Sequence, residues 1–141
     1  MASKSGFAAK VTMSATTIAG MGTWSMDGLT RETIEDTAFG DTVKKYVFGF
    51  MDGGAISFDG NYDPADTTGQ DILNSACINA SALGSGSIRL YIDNTSYWTI
   101  ASTSGGELLV TKANAVTMEK SGLGKISFTA KVSGDAMVLL P

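Results

Sequence analysis

The chain contains no histidine and only one cysteine in 141 residues. Without histidine, no imidazole of this chain can activate a serine or cysteine nucleophile. The single cysteine, Cys77, excludes an intramolecular disulfide bond and a zinc site made only of cysteines. We therefore expect no enzymatic activity, no metal and no cofactor, and we expect Cys77 to be a small buried residue.

Charge is also scarce. Charged residues make up 17% of the chain, below the roughly 25% of an average soluble domain. The net charge of −4 and the lack of a basic cluster argue against duplex DNA binding by phosphate neutralisation. A surface with few charges favours assembly, because large uncharged patches usually bind partners.

Long apolar segments are missing as well. No run approaches the ~20 apolar residues of a membrane span, so we expect no membrane partner. Residues Met1 to Phe7 lack the apolar stretch of a signal peptide, and we expect the protein to be made in a cytoplasm. The length suits a single domain over residues 1–141 with its own core.

The charges that are present are unevenly distributed. Asp27 to Asp71 contain ten acidic and three basic residues, a net charge of −7. The remainder contains four acidic and seven basic residues, a net charge of +3. Such segregation permits opposite faces of one subunit to meet in a stack, although chance in a short chain gives the same pattern.

Alternation of apolar and polar residues dominates the chain and predicts a mainly β fold. The alternation is clearest in three segments, Ile56 to Tyr62, Ile88 to Ile92 and Ile126 to Val132. Residues 88–101 are predicted to form a hairpin around the turn cluster Asp93 to Ser96. Further strands are predicted at residues 8–14, 16–27, 106–111, 115–120 and 136–140.

A single apolar stripe with helical spacing predicts one helix. The stripe consists of Ile72, Leu73, Ala76, Cys77 and Ala80. Thr68 and Asp71 match a capping box at the start of this helix. The predicted fold class is an antiparallel β-sandwich or half-barrel, with one flanking α-helix over an open edge or face and a long protruding loop.

The protruding loop is predicted to run from Thr37 to Gly49. Long connections in compact domains are usually functional or disordered, and this one contains too many apolar groups for a disordered linker. We expect it to contact a neighbouring subunit, with aromatic anchors and with charges that set the orientation. The predicted interface residues are Phe39, Asp41, Lys44, Lys45, Tyr46 and Phe48.

Two motifs that suggest ligand binding are incomplete. Asp59 to Asp63 match the first ligand positions of a calcium loop, but Pro64 stands at the glycine position and Gln70 where a bidentate glutamate is needed. Side chain to backbone bonds at a strand end explain these residues better. Gly20 to Gly22 begin a dinucleotide-binding pattern, but Ser25 replaces its third glycine. We expect these glycines to permit bending or a close chain approach.

The segment Phe39 to Gln70 combines the loop, a strand, an Asp/Asn/Pro turn and the helix start, in that order. This segment closely resembles the tail tube proteins of long-tailed bacteriophages, of the type with non-contractile tails. The resemblance spans roughly Ile18 to Leu109. It depends on the order and spacing of four segments: Thr23 to Met26, Asp36 to Asp41, Asp52 to Asn61 and Asp66 to Gln70.

This resemblance implies a structural role as the major tube subunit of a phage tail. It implies that subunits form hexameric rings, that the rings stack, and that each subunit lends about four strands to a common inner barrel, wide enough for an aqueous channel. Viral DNA would pass along this channel, and a neutral-to-acidic wall would let it slide by repelling phosphate. With no added surface domain after Pro141, the exterior of the tube is expected to be plain.

The resemblance also implies partners and a location. The partners are other copies of the chain, other tail proteins at the tube ends, and the tape-measure protein and DNA, which pass through without tight binding. The location is the virion tail, assembled in the host cytoplasm. Two alternatives remain: a tube component of a secretion or contractile injection system, distinguished by its biological context, and a small ligand-binding β-module, which would be a stable monomer with a saturable ligand.

Overall fold

The computed structural model of the chain describes residues 9–13, 16–18, 20–84, 86–100 and 105–141. Within these ranges the chain forms twelve strands and one helix. The elements are β1 (Lys10–Met13), β2 (Thr16–Thr17), β3 (Met21–Met26), β4 (Thr30–Glu35), β5 (Tyr46–Asp52), β6 (Ala55–Asn61), α1 (Gln70–Ile78), β7 (Leu83–Gly84), β8 (Ile88–Tyr91), β9 (Tyr97–Ile100), β10 (Glu107–Thr117), β11 (Lys125–Ser133) and β12 (Met137–Leu140).

The strands form two five-stranded antiparallel sheets and a separate antiparallel pair. The first sheet has the order β12-β9-β8-β1-β2, the second has the order β3-β6-β11-β10-β7, and β4 pairs with β5. Apolar side chains of both large sheets form one core, with Val11, Leu90 and Ile100 from the first and Phe58 and Phe128 from the second. This two-layered, mainly β architecture with one helix confirms the predicted fold class.

Strict alternation identifies the central strand of the second sheet. In β11, Ile126, Phe128, Ala130 and Val132 are buried, and the residues between them are partly exposed. Phe128 lies opposite Phe58 of β6, and their ring centroids are 5.6 Å apart. The alternation predicted from Ile56 to Tyr62, with Tyr62 on the same face as Ile56 and Phe58, was wrong at its last residue. Tyr62 lies beyond the end of β6 and is exposed, because the alternation ends with the strand.

A single strand replaces the two strands predicted at residues 106–111 and 115–120. The strand β10 runs from Glu107 to Thr117 and pairs with β11 across register shifts on both sides of Lys112. Asn114 has φ of +58°, a left-handed conformation that asparagine tolerates better than most residues. Its backbone N–H donates to Oδ1 of Asn74 on α1, at 3.1 Å. The helix thus packs beside β10, and the sequence break marks a bulge.

The segment predicted as one strand over residues 16–27 is divided into β2 and β3. A turn at Gly20, with φ of +72°, separates them. A Cβ atom at Gly20 would lie 2.8 Å from the carbonyl oxygen of Asn61, which confirms the expected close approach at this glycine. A Cβ atom at Gly22 would lie 3.9 Å from the Ala9 carbonyl oxygen, an ordinary contact distance. The predicted hairpin forms from β8 and β9. Residues 8, 14 and 101, at the ends of predicted strands, lie outside the described ranges.

The helix buries only part of the predicted stripe. Leu73 and Ala76 are buried, Cys77 is half-buried against the core, and Ile72 is exposed. Ala80 was predicted wrongly, because it lies beyond the helix with φ of +54°.

The start of the helix also differs from the prediction. The N-cap residue is Gly69, which has no side chain to offer, so the Thr68–Asp71 capping box is not formed. Instead, Oδ2 of Asp66 accepts a hydrogen bond from the backbone N–H of Gln70 at 3.2 Å. An acidic group from the preceding loop therefore satisfies one of the open donors at the helix start.

Gln70 connects this helix to the end of β6. Its side chain is almost fully buried, its Oε1 accepts from the Asp63 N–H at 3.0 Å, and its Nε2 donates to the Asn61 carbonyl at 2.9 Å. Gln70, which stands where a calcium loop would need a glutamate, thus binds backbone groups. Meanwhile, Oδ1 of Asp63 accepts from the Ala65 N–H at 3.0 Å, which confirms the expected side chain to backbone bonding at this strand end.

Replacing this glutamine is expected to destabilise the subunit measurably. Gln70→Leu would leave the Asp63 N–H and the Asn61 carbonyl without their partner, which should lower the free energy of unfolding by about 1–3 kcal/mol. Urea unfolding of the dilute subunit measures this difference. As a matched control, Ser75→Ala on the exposed side of the same helix should change stability by less than about 0.5 kcal/mol. Equal stabilities for the two variants would show that the hydrogen bonds of the Gln70 side chain to Asp63 and Asn61 do not stabilise the subunit.

Candidate functional site: an exposed apolar arm

The strands β4 and β5 and the loop between them form a two-stranded ribbon, Thr30–Asp52, which we call the arm. Since β3 leads into β4, β5 leads into β6, and β3 pairs with β6, the arm continues this strand pair beyond the second sheet. The predicted loop from Thr37 to Gly49 was therefore partly wrong. Residues 46–49 belong to β5, and residues 30–35 form a partner strand that the sequence pattern did not predict.

Neither strand of the arm shows the alternation that identifies the core strands. The strand β4, with sequence TRETIE, is exposed at every position. The strand β5, with sequence YVFGFMD, is apolar at consecutive positions, and all of these except Gly49 are exposed. Alternation arises where one face of a strand is buried by its own domain, and the arm has no such face.

Both faces of the arm carry apolar groups. Ile34 and Val47 are directly paired and share one face, while Tyr46 and Phe48 lie on the other. All four are exposed, and Phe48 exposes 77% of its surface. An isolated two-stranded ribbon is marginally stable in water, and exposed apolar patches usually mark interaction surfaces. The arm thus has the properties of a binding element.

The tip of the arm is fixed by its own polar contacts. Oδ2 of Asp41 accepts from the Ala38 N–H at 2.8 Å, and its Oδ1 lies 3.5 Å from Nζ of Lys45. Nζ of Lys44 lies 3.7 Å from Oε1 of Glu35. Three predicted orientation-setting charges therefore have contacts within the subunit, and these hold Phe39 fully exposed at the tip.

The predicted interface residues cover only part of this surface. Of the predicted interface residues, Phe39, Tyr46 and Phe48 are exposed apolar groups of the arm, and Asp41, Lys44 and Lys45 support its tip. The prediction omitted Ile34, Val43, Val47, Phe50 and Met51, which are also exposed. The unbroken apolar run of β5 was the available signal, and Ile34 becomes visible only through its pairing with Val47.

A cleft of about 700 Å³ separates the base of the arm from the turn between β11 and β12. At its edge, Oδ1 of Asp52 accepts from Nζ of Lys131 at 2.7 Å and from the Gly54 N–H at 2.8 Å. In turn, the Gly54 carbonyl accepts from the Val132 N–H at 2.9 Å. These contacts tie the last residues of the arm to β11.

The Lys131 ammonium, together with the Gly54 N–H, lowers the pKa of Asp52 below its ordinary value of 3.8. Because the folded-state pKa is the lower one, the contact contributes fully above about pH 4 and is lost as the pH falls through the folded-state value. We expect an NMR titration of the Asp52 carboxyl group to show this low midpoint and Lys131→Met to raise it. Lys125→Met, in which the lost lysine contacts Asn61 instead, should leave it unchanged. A midpoint insensitive to Lys131→Met would contradict the assignment.

Among the described residues, no group of three or more histidine, cysteine, aspartate or glutamate side chains is placed to hold a metal ion. No helix in the described ranges is long and apolar enough to span a bilayer. The exposed apolar groups on both faces of the arm make it the candidate site.

Comparison with known proteins places the fold. No family model matches the chain, and no curated protein sequence matches it. Solved structures do match. A chain of the sheath/tube terminator of an extracellular contractile injection system, PVC, in its extended state has a TM-score of 0.72 and 14% identity, with 100% of this chain and 99% of that chain covered.

Gene transfer agent particles contain similar chains. One in the virion of a native particle has a TM-score of 0.68 and 14% identity, and one in the tail of an empty particle with C6 symmetry has a TM-score of 0.65 and 15% identity. In both cases 99% of this chain and 100% of that chain are covered. At such identities the likeness establishes the fold: this chain has the fold of proteins found in gene transfer agent tails and contractile injection systems.

Proposed function

We propose that this protein is a structural subunit of a phage-type tail tube, in which rings of six copies stack into a hollow conduit for DNA. The observation that carries the proposal is the fold match along nearly the whole of both chains. Each of these matched chains comes from an assembled particle, and one comes from a tail with C6 symmetry. A particle component needs surfaces for its neighbours, and the arm is such a surface.

The arm is proposed to contact a second copy of the chain, between stacked rings. Its exposed aromatic residues Phe39, Phe48 and Phe50 would be the anchors, since aromatic side chains dominate the energetics of most interfaces. Asp41, Lys44 and Lys45 would act by holding the tip in shape and by presenting their remaining charge to the neighbour.

The outward face of the second sheet is proposed to line the channel. Each subunit would contribute the four strands β3, β6, β11 and β10 to a common barrel, which matches the four strands per subunit implied by the resemblance. Closing the barrel would remove exposed sheet edges. Small polar side chains such as Ser57, Ser127 and Thr129 lie on this face. Its charged residues are Asp59, Glu107, Lys112, Lys125 and Lys131. With three lysines and two acids, the face is less acidic than expected from the sequence.

We predict no appreciable binding of duplex DNA at physiological salt, although DNA passes through the proposed channel. Lys131 is paired with the Asp52 carboxylate at 2.7 Å, and the other two lysines, Lys112 and Lys125, share the face with Asp59 and Glu107. Few cations thus remain to release counterions from phosphate. Filter binding or fluorescence anisotropy over a salt series measures this. A micromolar affinity with a steep salt dependence would contradict the proposed wall.

A second candidate function is a tube or terminator component of a contractile injection system. The TM-score of 0.72 to a chain of the PVC sheath/tube terminator favours it. Both functions need the same ring and the same arm. Their difference is the particle in which the protein is found, so mass spectrometry of purified virions against purified injection particles distinguishes them.

Sedimentation velocity over a wide concentration range tests the proposal. We expect the free subunit to be replaced by rings and then by larger stacks as concentration rises, because exposed apolar surface favours association. A protein that stays monomeric at every concentration, even with tail extracts added, would overturn the proposed function. If such a monomer also bound a small molecule saturably, the ligand-binding module would be the better account.

A further inference from the structure

We propose that the contact between Asp52 and Lys131 is a latch that fixes the direction of the arm, so that these two residues act as positioning residues for assembly. This inference rests on the proposed function, because it assigns a cause to the geometry of the same arm. It concerns the two residues at the cleft below the arm and no residue of the exposed apolar surface itself.

The need for a latch follows from how the arm is attached. Only two chain segments connect it to the sheet, residues 27–29 and 53–54. Both contain glycines with positive φ, +90° at Gly28 and +80° at Gly54. Such backbone conformations let both segments change direction at the sheet end. A ribbon with two such bends has no covalent feature that sets its angle, so noncovalent contacts must do so.

Asp52 supplies such contacts from the last position of β5. Its Oδ1 receives both the Lys131 ammonium and the Gly54 N–H, at 2.7 Å and 2.8 Å. One carboxylate oxygen thus links the arm, the bend at residues 53–54 and β11, the central strand of the second sheet. Charge-assisted hydrogen bonds of this length are stronger than neutral ones, and the lowered pKa of Asp52 is consistent with that strength.

The bend itself fits closely against the sheet on the same side. A Cβ atom at Gly53 would lie 3.1 Å from Cβ of Val132 and would collide with the carbonyl oxygen of Asp135. The backbone at this point therefore rests directly on β11 and the turn after it. The Val132 N–H donates to the Gly54 carbonyl at 2.9 Å, so β11 contacts the bend at residues 53–54 and, through Lys131, the last residue of the arm.

The latch is exposed, so it adds little to subunit stability. The side chains of Lys131 and Asp52 retain 44% and 53% of their exposure, and exposed ion pairs contribute little to the free energy of unfolding. Its loss should therefore act on the direction of the arm and leave the fold intact. If the arm samples many directions, a smaller fraction of the subunits has it in the direction that binds. The apparent affinity between subunits falls in proportion to that fraction.

The test measures arm direction on spin-labelled protein and assembly on the same Lys131 variants without labels. Spin labels at Thr33→Cys on the arm and Ser75→Cys on α1, in a Cys77→Ser background, report their separation in dilute protein by pulsed electron paramagnetic resonance. We expect a narrow distance distribution, broadened by Lys131→Met and restored by Lys131→Arg. Lys131→Met should also raise the concentration at which assembly begins by at least about threefold, and Lys131→Arg should restore the value of the parent protein. Lys125→Met is the matched control and should behave like the parent protein.

Each outcome bears on the latch or on the tube. Unchanged distances and assembly in Lys131→Met would overturn the latch and leave the tube proposal standing. Broadened distances with normal assembly would overturn its role in assembly. Broadened distances in a protein that never assembles, parent included, would support the latch as a structural device and overturn the proposed function.

Discussion

A subunit without its arm is expected to fold and to remain a monomer. The variant replaces Arg31–Met51 with Asn-Gly, so that a two-residue turn joins Thr30 to Asp52, which are already paired. Asn-Gly is the preferred sequence for a tight hairpin turn. The core lies in the two large sheets and α1, so circular dichroism should retain its β signature. Sedimentation should show no rings or stacks at concentrations where the parent protein assembles.

Two results would contradict this expectation in different ways. If the shortened subunit still assembled normally, the arm would not be the interface. If it failed to fold, the arm would belong to the core of its own subunit. A matched variant that replaces only Phe39, Phe48 and Phe50 with serine keeps the ribbon and the latch. It should also lose assembly, since these side chains are the proposed anchors.

Two phenylalanines are expected to have opposite phenotypes. Phe128 is 1% exposed and packs against Phe58, so Phe128→Ala should lower the free energy of unfolding by about 3–5 kcal/mol. Phe48 is exposed on the arm, and the Arg31 guanidinium lies 5.8 Å from its ring centroid, a cation–π contact. Phe48→Ala should therefore cost less than about 1 kcal/mol in the dilute subunit while markedly weakening assembly.

Urea unfolding and sedimentation of both variants check this pair of expectations. The dilute subunit must be used for unfolding, because association stabilises the folded state and would hide the difference. Phe48→Ala destabilising the monomer as strongly as Phe128→Ala would show that Phe48 packs within its own subunit. Phe48→Ala assembling like the parent protein would remove the side chain from the interface.

The elements that could be predicted from the sequence are those whose burial lies within the subunit. The alternation of β11 predicts its buried face, because the same chain covers that face. The strand β4 shows no alternation, and its existence follows only from pairing with β5. The aromatic groups of residues 37–49 therefore mark this segment as unusual in the sequence, but the pattern does not show that residues 46–49 belong to a strand.

Short-range signals failed where a tertiary contact took their place. Thr68 and Asp71 have the spacing of a capping box. The N-cap residue is nevertheless Gly69, and the side chain of Asp66 accepts the hydrogen bond from the helix start. In the sequence, Gln70 stands only where a calcium loop would need a glutamate, and its contact with the Asn61 carbonyl depends on the end of β6 lying beside it. The latch between Asp52 and Lys131 joins residues 79 positions apart, a separation at which sequence patterns carry no information.

Electron microscopy of the concentrated purified protein tests the central claim most directly. The tube account predicts six-fold rings with an open centre in end views and stacks with a regular repeat in side views. The arm should bridge consecutive rings once the density is resolved into strands. Monodisperse single particles of subunit size, or stacks without a central channel, would contradict the account.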